Sequence, residues 1–371
     1  MNVWRDGDII RLGFVPPALS EGKTHRYEFR TDDEGFRNAA TRARIDIAAL
    51  GDSFTDAQTV AIDDAWPQQL ERRLGIAVQN YGTAGFGPQQ ELLVLQDFAI
   101  RHAPRLVVLA FFAGNDLRDA EVFDTTGGAR HAGGDHPRPG WPIKTIVTRA
   151  DEWFLGSAMS AAGAVLASGR AGEQGSRGRE ERGSGVASPP FDRGVFSVDA
   201  SGRPLRWAFL PPYLRLLHFS VGDFERRQGW DLTRRALREM QRTAHGAGAE
   251  LVVMFVPFKS QVYLPLLDRS MPRADLTRAL EQTLRPLGPA VDVDTMLRNR
   301  LALNDMMTAF CRDAGIPLLD TTERLRSRVE AGEAMFFPDD SHLNEAGEAA
   351  LAEMLAQFLR DAGWSSRPDV R

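Results

Sequence analysis

The 371-residue chain has a single cysteine, Cys311, so no internal disulfide can staple it. That cysteine ends the helical pattern Asn304-Asp305-Met306-Met307-Thr308-Ala309-Phe310-Cys311 and reads as a small core residue rather than a redox or nucleophilic thiol. No run of about 18 apolar residues occurs, so nothing in the chain reads as a membrane-spanning helix. The opening Met1 to Asp8 is acidic where a secretory leader needs a basic region followed by an apolar one. The compartment stays open: the lack of disulfides suits the cytoplasm, and an envelope location requires a leader or anchor outside this sequence. Positive charge is not in excess either. Lys and Arg total 45 against 50 Asp and Glu, a net charge of -5, which gives no case for nucleic acid as partner. The seven histidines show no metal-ligand spacing, and neither a metal nor a cofactor is expected. There are no internal repeats. The length allows one large core, or a core plus an insertion.

Regular alternation begins after an irregular N-terminal wrap over residues 1–43. Ile45 to Leu50 reads as a strand, Trp66 to Leu74 as a helix and Ile76 to Gln79 as a short strand. Gln89 to His102 reads as a helix, and Leu106 to Phe112 as a strand buried on both faces. The period then fails until Leu232. Residues 119–231 are read as an insertion, within which 167–190 is rich in Gly, Ser, Arg and Glu and predicts a mobile loop. Its flanks carry Trp141, Trp153, Phe154, Phe191, Phe196, Trp207, Phe209 and Tyr213, enough aromatic surface to order them against the core. Regularity returns with a helix over Thr233 to Ala247, a strand over Glu250 to Val256 and a helix from Arg300 to Ala314. A strand over Ile316 to Asp320 and a helix capped by Asn344 complete the pattern. Apolar strands alternating with helices predict an α/β domain with a five-stranded parallel sheet, formed by residues 44–118 and 232–362.

Four short stretches carry the chemistry. Gly51-Asp52-Ser53-Phe54 puts a serine where a strand ends, and catalytic groups of open parallel sheets gather at the carboxyl ends of strands. A serine hydroxyl needs a neighbouring base to become a nucleophile, and Gly-Asp-Ser alone also suits a helix cap. Asn80-Tyr81-Gly82-Thr83-Ala84-Gly85-Phe86-Gly87 enters a helix, where free N–H groups can meet an anion. Its Gly-x-x-Gly-x-Gly spacing is not that of a dinucleotide loop, so a structural turn is the competing reading. Gly114-Asn115-Asp116 offers an amide N–H to a developing oxyanion, against a plain turn asparagine. In Asp339-Asp340-Ser341-His342 either aspartate can hold the imidazole in the tautomer that accepts a serine proton.

In this order the four blocks resemble the SGNH, or GDSL-type, hydrolase superfamily. That resemblance covers the sheet and implies a flavodoxin-like three-layer αβα sandwich; the long insertion after the third strand, read from the broken period, lies outside it. It implies Ser53 as nucleophile, His342 as base, and Gly85 and Asn115, with the Ser53 N–H, as the oxyanion hole. The family's Asp-x-x-His spacing selects Asp339 as the acid. Phe54 stands where many members have leucine. Val256-Pro257-Phe258-Lys259-Ser260-Gln261-Val262-Tyr263 looks like the Pro-x-Lys-x-x-Tyr stretch of SGNH-like proteins in polysaccharide acetylation systems, and Tyr27 to Arg37 is similar to segments ahead of the serine block in envelope members. In alginate-type acetyltransferases the Asp–His pair precedes the serine, whereas here it follows. The expected activity is therefore hydrolysis of an ester, with O-acyl groups on a carbohydrate as favoured substrate. An O-acyltransferase is the second reading, and a catalytically silent polysaccharide-binding protein the third.

Overall fold

The computed structural model describes residues 2–4, 7–12, 14, 25–27, 30–125, 191–192, 194–287 and 291–364. The loop expected at 167–190 lies outside the described residues, as do Trp141, Trp153 and Phe154.

Five parallel strands form the central sheet: β1 (Ile47–Gly51), β2 (Val78–Asn80), β3 (Leu106–Phe112), β4 (Glu250–Val256) and β5 (Leu318–Asp320). Their order across the sheet is β5-β4-β3-β1-β2. This is the flavodoxin-like winding, whose strand order reverses between the first and third strands. Every residue of β1 and β3 is buried, because helices cover the sheet, and this is why those strands read as unbroken apolar runs. Gly51 pairs with Ala110, Ala49 with Asn80 and Phe112 with Val256, so the strands end at a common edge.

Helix Gln228–Gly246 packs on helices Pro88–Asp97 and Asp116–Phe123, and the C-terminal helix Glu345–Asp361 packs on Trp66–Leu74. Asn344 caps that last helix, accepting from Gly347 N at 3.0 Å. Among the described residues no helix is long and apolar enough to cross a membrane. Cys311 is buried in the main core, and burial pushes its thiol up to about 12.

The stretch read as aperiodic has structure at both ends. Helix Asp116–Phe123 extends past the third block, and helix Gln228–Gly246 begins before Leu232. Between them, Phe191–Asp192, Val195–Ala200 and Arg203–Trp207 form an antiparallel sheet. It carries Phe196 and Trp207 into the main core, where Phe209 just beyond the sheet joins them, as their apolar surface requires. The N-terminal stretch contributes a strand pair, Asn2–Trp4 with His25–Tyr27, and a short helical turn, Asp8–Arg11.

Candidate active site

β1 ends at Gly51, and Ser53 opens a one-turn helix, Ser53–Asp56. Asp52 caps that turn, its Oδ1 accepting from Phe54 N at 2.9 Å. The turn cannot drift from the second block, because Asn80 Nδ2 donates to Thr55 O at 2.7 Å. Asn80 Oδ1 accepts from Gly82 N at 2.8 Å, which shapes the loop leading to Gly85. Gly85 has φ +79°, a left-handed conformation open to glycine at little cost.

Opposite Ser53, residues 336–343 form a narrow hairpin, with Phe336 bridged to Leu343 and Phe337 N donating to His342 O at 3.1 Å. Its tip carries Asp339, Asp340, Ser341 and His342. Several elements fix it. Lys259, 3% exposed, donates to the carbonyls of Phe337, Pro338 and Asp340 at 2.6, 3.1 and 3.0 Å. Met335 N donates to the Tyr263 hydroxyl at 3.2 Å, and Ala208 N to Pro338 O at 2.9 Å. Lys259 and Tyr263 of the stretch Val256 to Tyr263 therefore act on this hairpin, from helix Lys259–Ser270.

His342 Nε2 lies 2.8 Å from Ser53 Oγ, and His342 Nδ1 lies 2.6 Å from Asp340 Oδ1. The acid at the imidazole is thus Asp340 and not Asp339, the residue expected from family spacing. The reason is local. Asp340 Oδ1 also accepts from His342 N at 2.9 Å, so the carboxylate and the imidazole close a turn two residues long. Asp339 points elsewhere, its Oδ2 accepting from Gly7 N at 2.9 Å. The Phe54 ring lies under His342 at 4.9 Å between centroids and stacks on Phe112 at 3.7 Å.

The electrostatics follow from this pairing. Burial by itself would raise Asp340, but the charge and hydrogen bonds of His342 hold it well below the usual carboxylate range. Burial disfavours the imidazolium, yet the charge and hydrogen bond of Asp340, with Asp8 and Asp52 behind them, push His342 up to about 9.

Asn115 follows β3 and precedes helix Asp116–Phe123. Its Nδ2 donates to Asp119 Oδ2 at 2.7 Å, and its side chain also acts on the Asp52 carboxylate by hydrogen bonding. Among the described residues neither the Ser53 N–H nor the Gly85 N–H donates to a protein acceptor. Ser53 and Asn115 follow β1 and β3, the strands that flank the switch in strand order, where open α/β sheets place their ligands.

Behind this edge lie four carboxyl groups that sequence reasoning did not single out. Asp52, Glu91 and Asp116 are buried and Asp119 is half-buried, close enough to repel one another. Burial, then mutual repulsion, raises Glu91 and Asp116 well above the normal range. Burial pushes Asp119 up to about 8 and Asp52 up to about 6. At about 8 the Asp119 carboxyl keeps its proton near neutral pH, whereas Asp52, at about 6, gives its proton up there. The Tyr213 phenol is raised by burial and by the charges of Asp8, Asp119 and Asp52, and its ring meets Phe112 edge-on at 5.5 Å.

Three side chains approach closely enough to share a metal ion among the described residues: Asp8, Asp340 and His342. Yet His342 Nδ1 and Asp340 Oδ1 are only 2.6 Å apart, whereas two ligands on a tetrahedral ion stand roughly 3.3 Å apart. The spacing is that of a shared proton.

The profile of the GDSL-like Lipase/Acylhydrolase family matches residues 49–350, a span that includes all four blocks. No curated protein matches the sequence. Among solved structures, a G-D-S-L family protein from Desulfitobacterium hafniense DCB-2 aligns at 11% identity and a TM-score of 0.39, over 85% of this chain and 100% of its own. An acetylxylan esterase from Geobacillus stearothermophilus aligns at 12% identity and a TM-score of 0.38, over 87% of this chain and 97% of its own.

Proposed function

The chain belongs to the GDSL-like lipase/acylhydrolase family, and on that footing we propose that it is a serine ester hydrolase working through an acyl-enzyme. Ser53 Oγ attacks the ester carbonyl while His342 Nε2 takes its proton. Asp340 keeps the Nδ1 proton in place and stabilises the imidazolium that results. The N–H groups of Ser53 and Gly85 and the Asn115 amide receive the oxyanion. His342 then returns the proton to the leaving alcohol, and water, deprotonated by the same imidazole, releases the acid.

The observation that carries this reading is the unbroken relay from Ser53 Oγ to His342 at 2.8 Å and from His342 to Asp340 at 2.6 Å. A merely decorative serine has no reason to face an imidazole so oriented. The intact relay also weighs against a silent binding protein. For the substrate we retain short O-acyl groups on a carbohydrate, on the strength of the resemblance to envelope members. Transfer to an acceptor hydroxyl would pass through the same acyl-enzyme.

Hydrolysis of p-nitrophenyl acetate and butyrate, with Ser53→Ala as control, tests the reading. Steady turnover that vanishes in Ser53→Ala is expected. A burst of one equivalent without turnover would replace hydrolysis by transfer, and wild-type rates equal to those of Ser53→Ala would refute both.

A further inference from the structure

The relay makes no use of the segment that touches it from the far end of the sequence. Gly7, Asp8 and Ile9 lie against the tip of the 336–343 hairpin. Gly7 N donates to Asp339 Oδ2 at 2.9 Å, Asp8 N to Asp340 Oδ2 at 2.9 Å and Ile9 N to Asp339 O at 3.2 Å. In return the Asp8 carboxylate accepts from Ser341 N at 2.9 Å and from the Ser341 hydroxyl. The approach is close: a Cβ on Gly7 would stand 2.2 Å from Asp339 O, so no larger residue fits without moving the hairpin. Asp8 is 3% exposed, and its carboxylate lies within 4.8 Å of ligand atoms of both Asp340 and His342.

A carboxylate buried at this distance from an imidazole acts on its charge whatever else it does, since water is not there to screen it. We propose that Asp8 is a positioning residue of the active site, holding Asp340 through its backbone N–H and Ser341 through its carboxylate, and setting the electrostatic surroundings in which His342 takes the Ser53 proton. The inference rests on the serine-hydrolase reading. It also explains a geometric fact which that reading leaves aside: the Asp340 oxygen facing away from His342 is satisfied by residue 8.

The groups around Asp8 are Asp339, Asp340, Ser341 and His342 of the hairpin, the Lys259 ammonium and the Tyr213 phenol. Burial, then repulsion from Asp340, pushes Asp8 up to about 6, against the opposing pull of His342 and Ser341. Asp52 also acts on His342 and sits at about 6. Protonation of these two carboxyls on acidification should therefore register at the His342 ring as a separate step near pH 6, well below the ring's own titration near 9.

The experiment is a pH titration of the full chain with 15N-labelled histidine, His342 being assigned by difference from His342→Ala. Wild type should show a shift of the His342 ring nitrogens near pH 6. Asp8→Asn, nearly isosteric and uncharged, should diminish that step and lower the His342 midpoint by about one unit, a tenfold drop in proton affinity. In p-nitrophenyl acetate hydrolysis the same variant should lower the alkaline plateau of kcat about tenfold, move its midpoint to lower pH and leave KM within twofold. An Asp8→Asn titration that superimposes on wild type overturns the proposal. So does a variant that melts earlier but keeps the wild-type titration, because Asp8 would then be structural only. Should Asp8→Asn not fold, Asp8→Ser replaces it, and the absence of any wild-type step near pH 6 also refutes the idea. The nitrogen titration does not depend on turnover, so an inactive wild type would sink the hydrolase reading and leave the positioning claim separately decided.

Discussion

Replacing Asp340 with asparagine preserves side-chain shape and removes the charge on which His342 depends. The imidazole stands at about 9 instead of its ordinary 6.5 despite a burial that pushes the other way. At about 1.4 kcal/mol per unit, that is on the order of 3 kcal/mol of preferential stabilisation of the imidazolium. The same charge stabilises the imidazolium formed as Ser53 attacks. An asparagine amide can in addition donate to Nδ1 and fix the wrong tautomer, which in a Ser-His-Asp site lowers kcat about 10⁴-fold. Asp340→Asn is therefore expected to lose about 10³- to 10⁴-fold in kcat on p-nitrophenyl acetate, with KM nearly unchanged. Asp339→Asn removes only part of an acceptor for Gly7 N, so it should stay within about fivefold of wild type and cost about 1 kcal/mol of stability. Thermal melts give a second reading of the same pair. The Asp340 contribution is present above its ordinary 3.8 and fades as pH falls below it. The His342 contribution is complete below 6.5 and is lost as pH rises through about 9. Asp340→Asn should consequently lose most stability between about pH 4 and 6.5. If Asp339→Asn loses as much activity as Asp340→Asn, or Asp340→Asn keeps a tenth of wild-type kcat, the assignment of the acid is wrong.

In the proposed mechanism the neutral imidazole is the base, so kcat/KM for wild type should climb with pH through a midpoint near 9 and level off above it; a profile already flat from pH 6 would contradict the geometry around His342. Asn115→Ala should lower kcat about 10²- to 10³-fold with little change in KM, and a loss under fivefold would remove the amide from the oxyanion hole. Lys259→Met deletes three hydrogen bonds to buried carbonyls and should cost on the order of 2–4 kcal/mol in urea melts, together with kcat, since the hairpin it holds carries His342. Both Glu91 carboxylate oxygens lack a hydrogen-bond partner among the described residues, and the side chain is 1% exposed. Because its folded pKa is raised, wild type loses stability as pH rises above the ordinary 4.5, so the melting temperature of Glu91→Gln should gain on wild type between pH 5 and 8; curves that stay parallel would refute this.

What the sequence reveals and what it hides divide along a physical line. Leu106–Phe112 and Glu250–Val256 are visible because a strand buried on both faces must be apolar throughout, and Trp66–Leu74 because one helical face meets the core. Ser53, Gly85, Asn115 and His342 are visible because each needs a strand end or loop beside it. Helix Lys259–Ser270 escapes notice for the opposite reason. Most of its first nine residues are buried, so no polar stripe marks its period, and Pro265 within it argues against a helix at all. Asp339 and Asp340 are adjacent and chemically identical, and only contacts separate them. One of those contacts is short-range: Asp-x-His allows the carboxylate to take both the N–H and the ring two residues on. The other is Gly7, 332 residues upstream, which claims Asp339 and cannot be inferred from spacing. The buried carboxyls show the same limit. Glu91 and Asp119 sit in helices where charge ordinarily marks the solvent face, and only their assembly around Asp52 shows that they face inward. Local chemistry thus names the atoms proposed to react, while the groups that set their charge come from segments far apart in sequence. That is why the proton affinity of His342, rather than the identity of its nucleophile, is the property to measure.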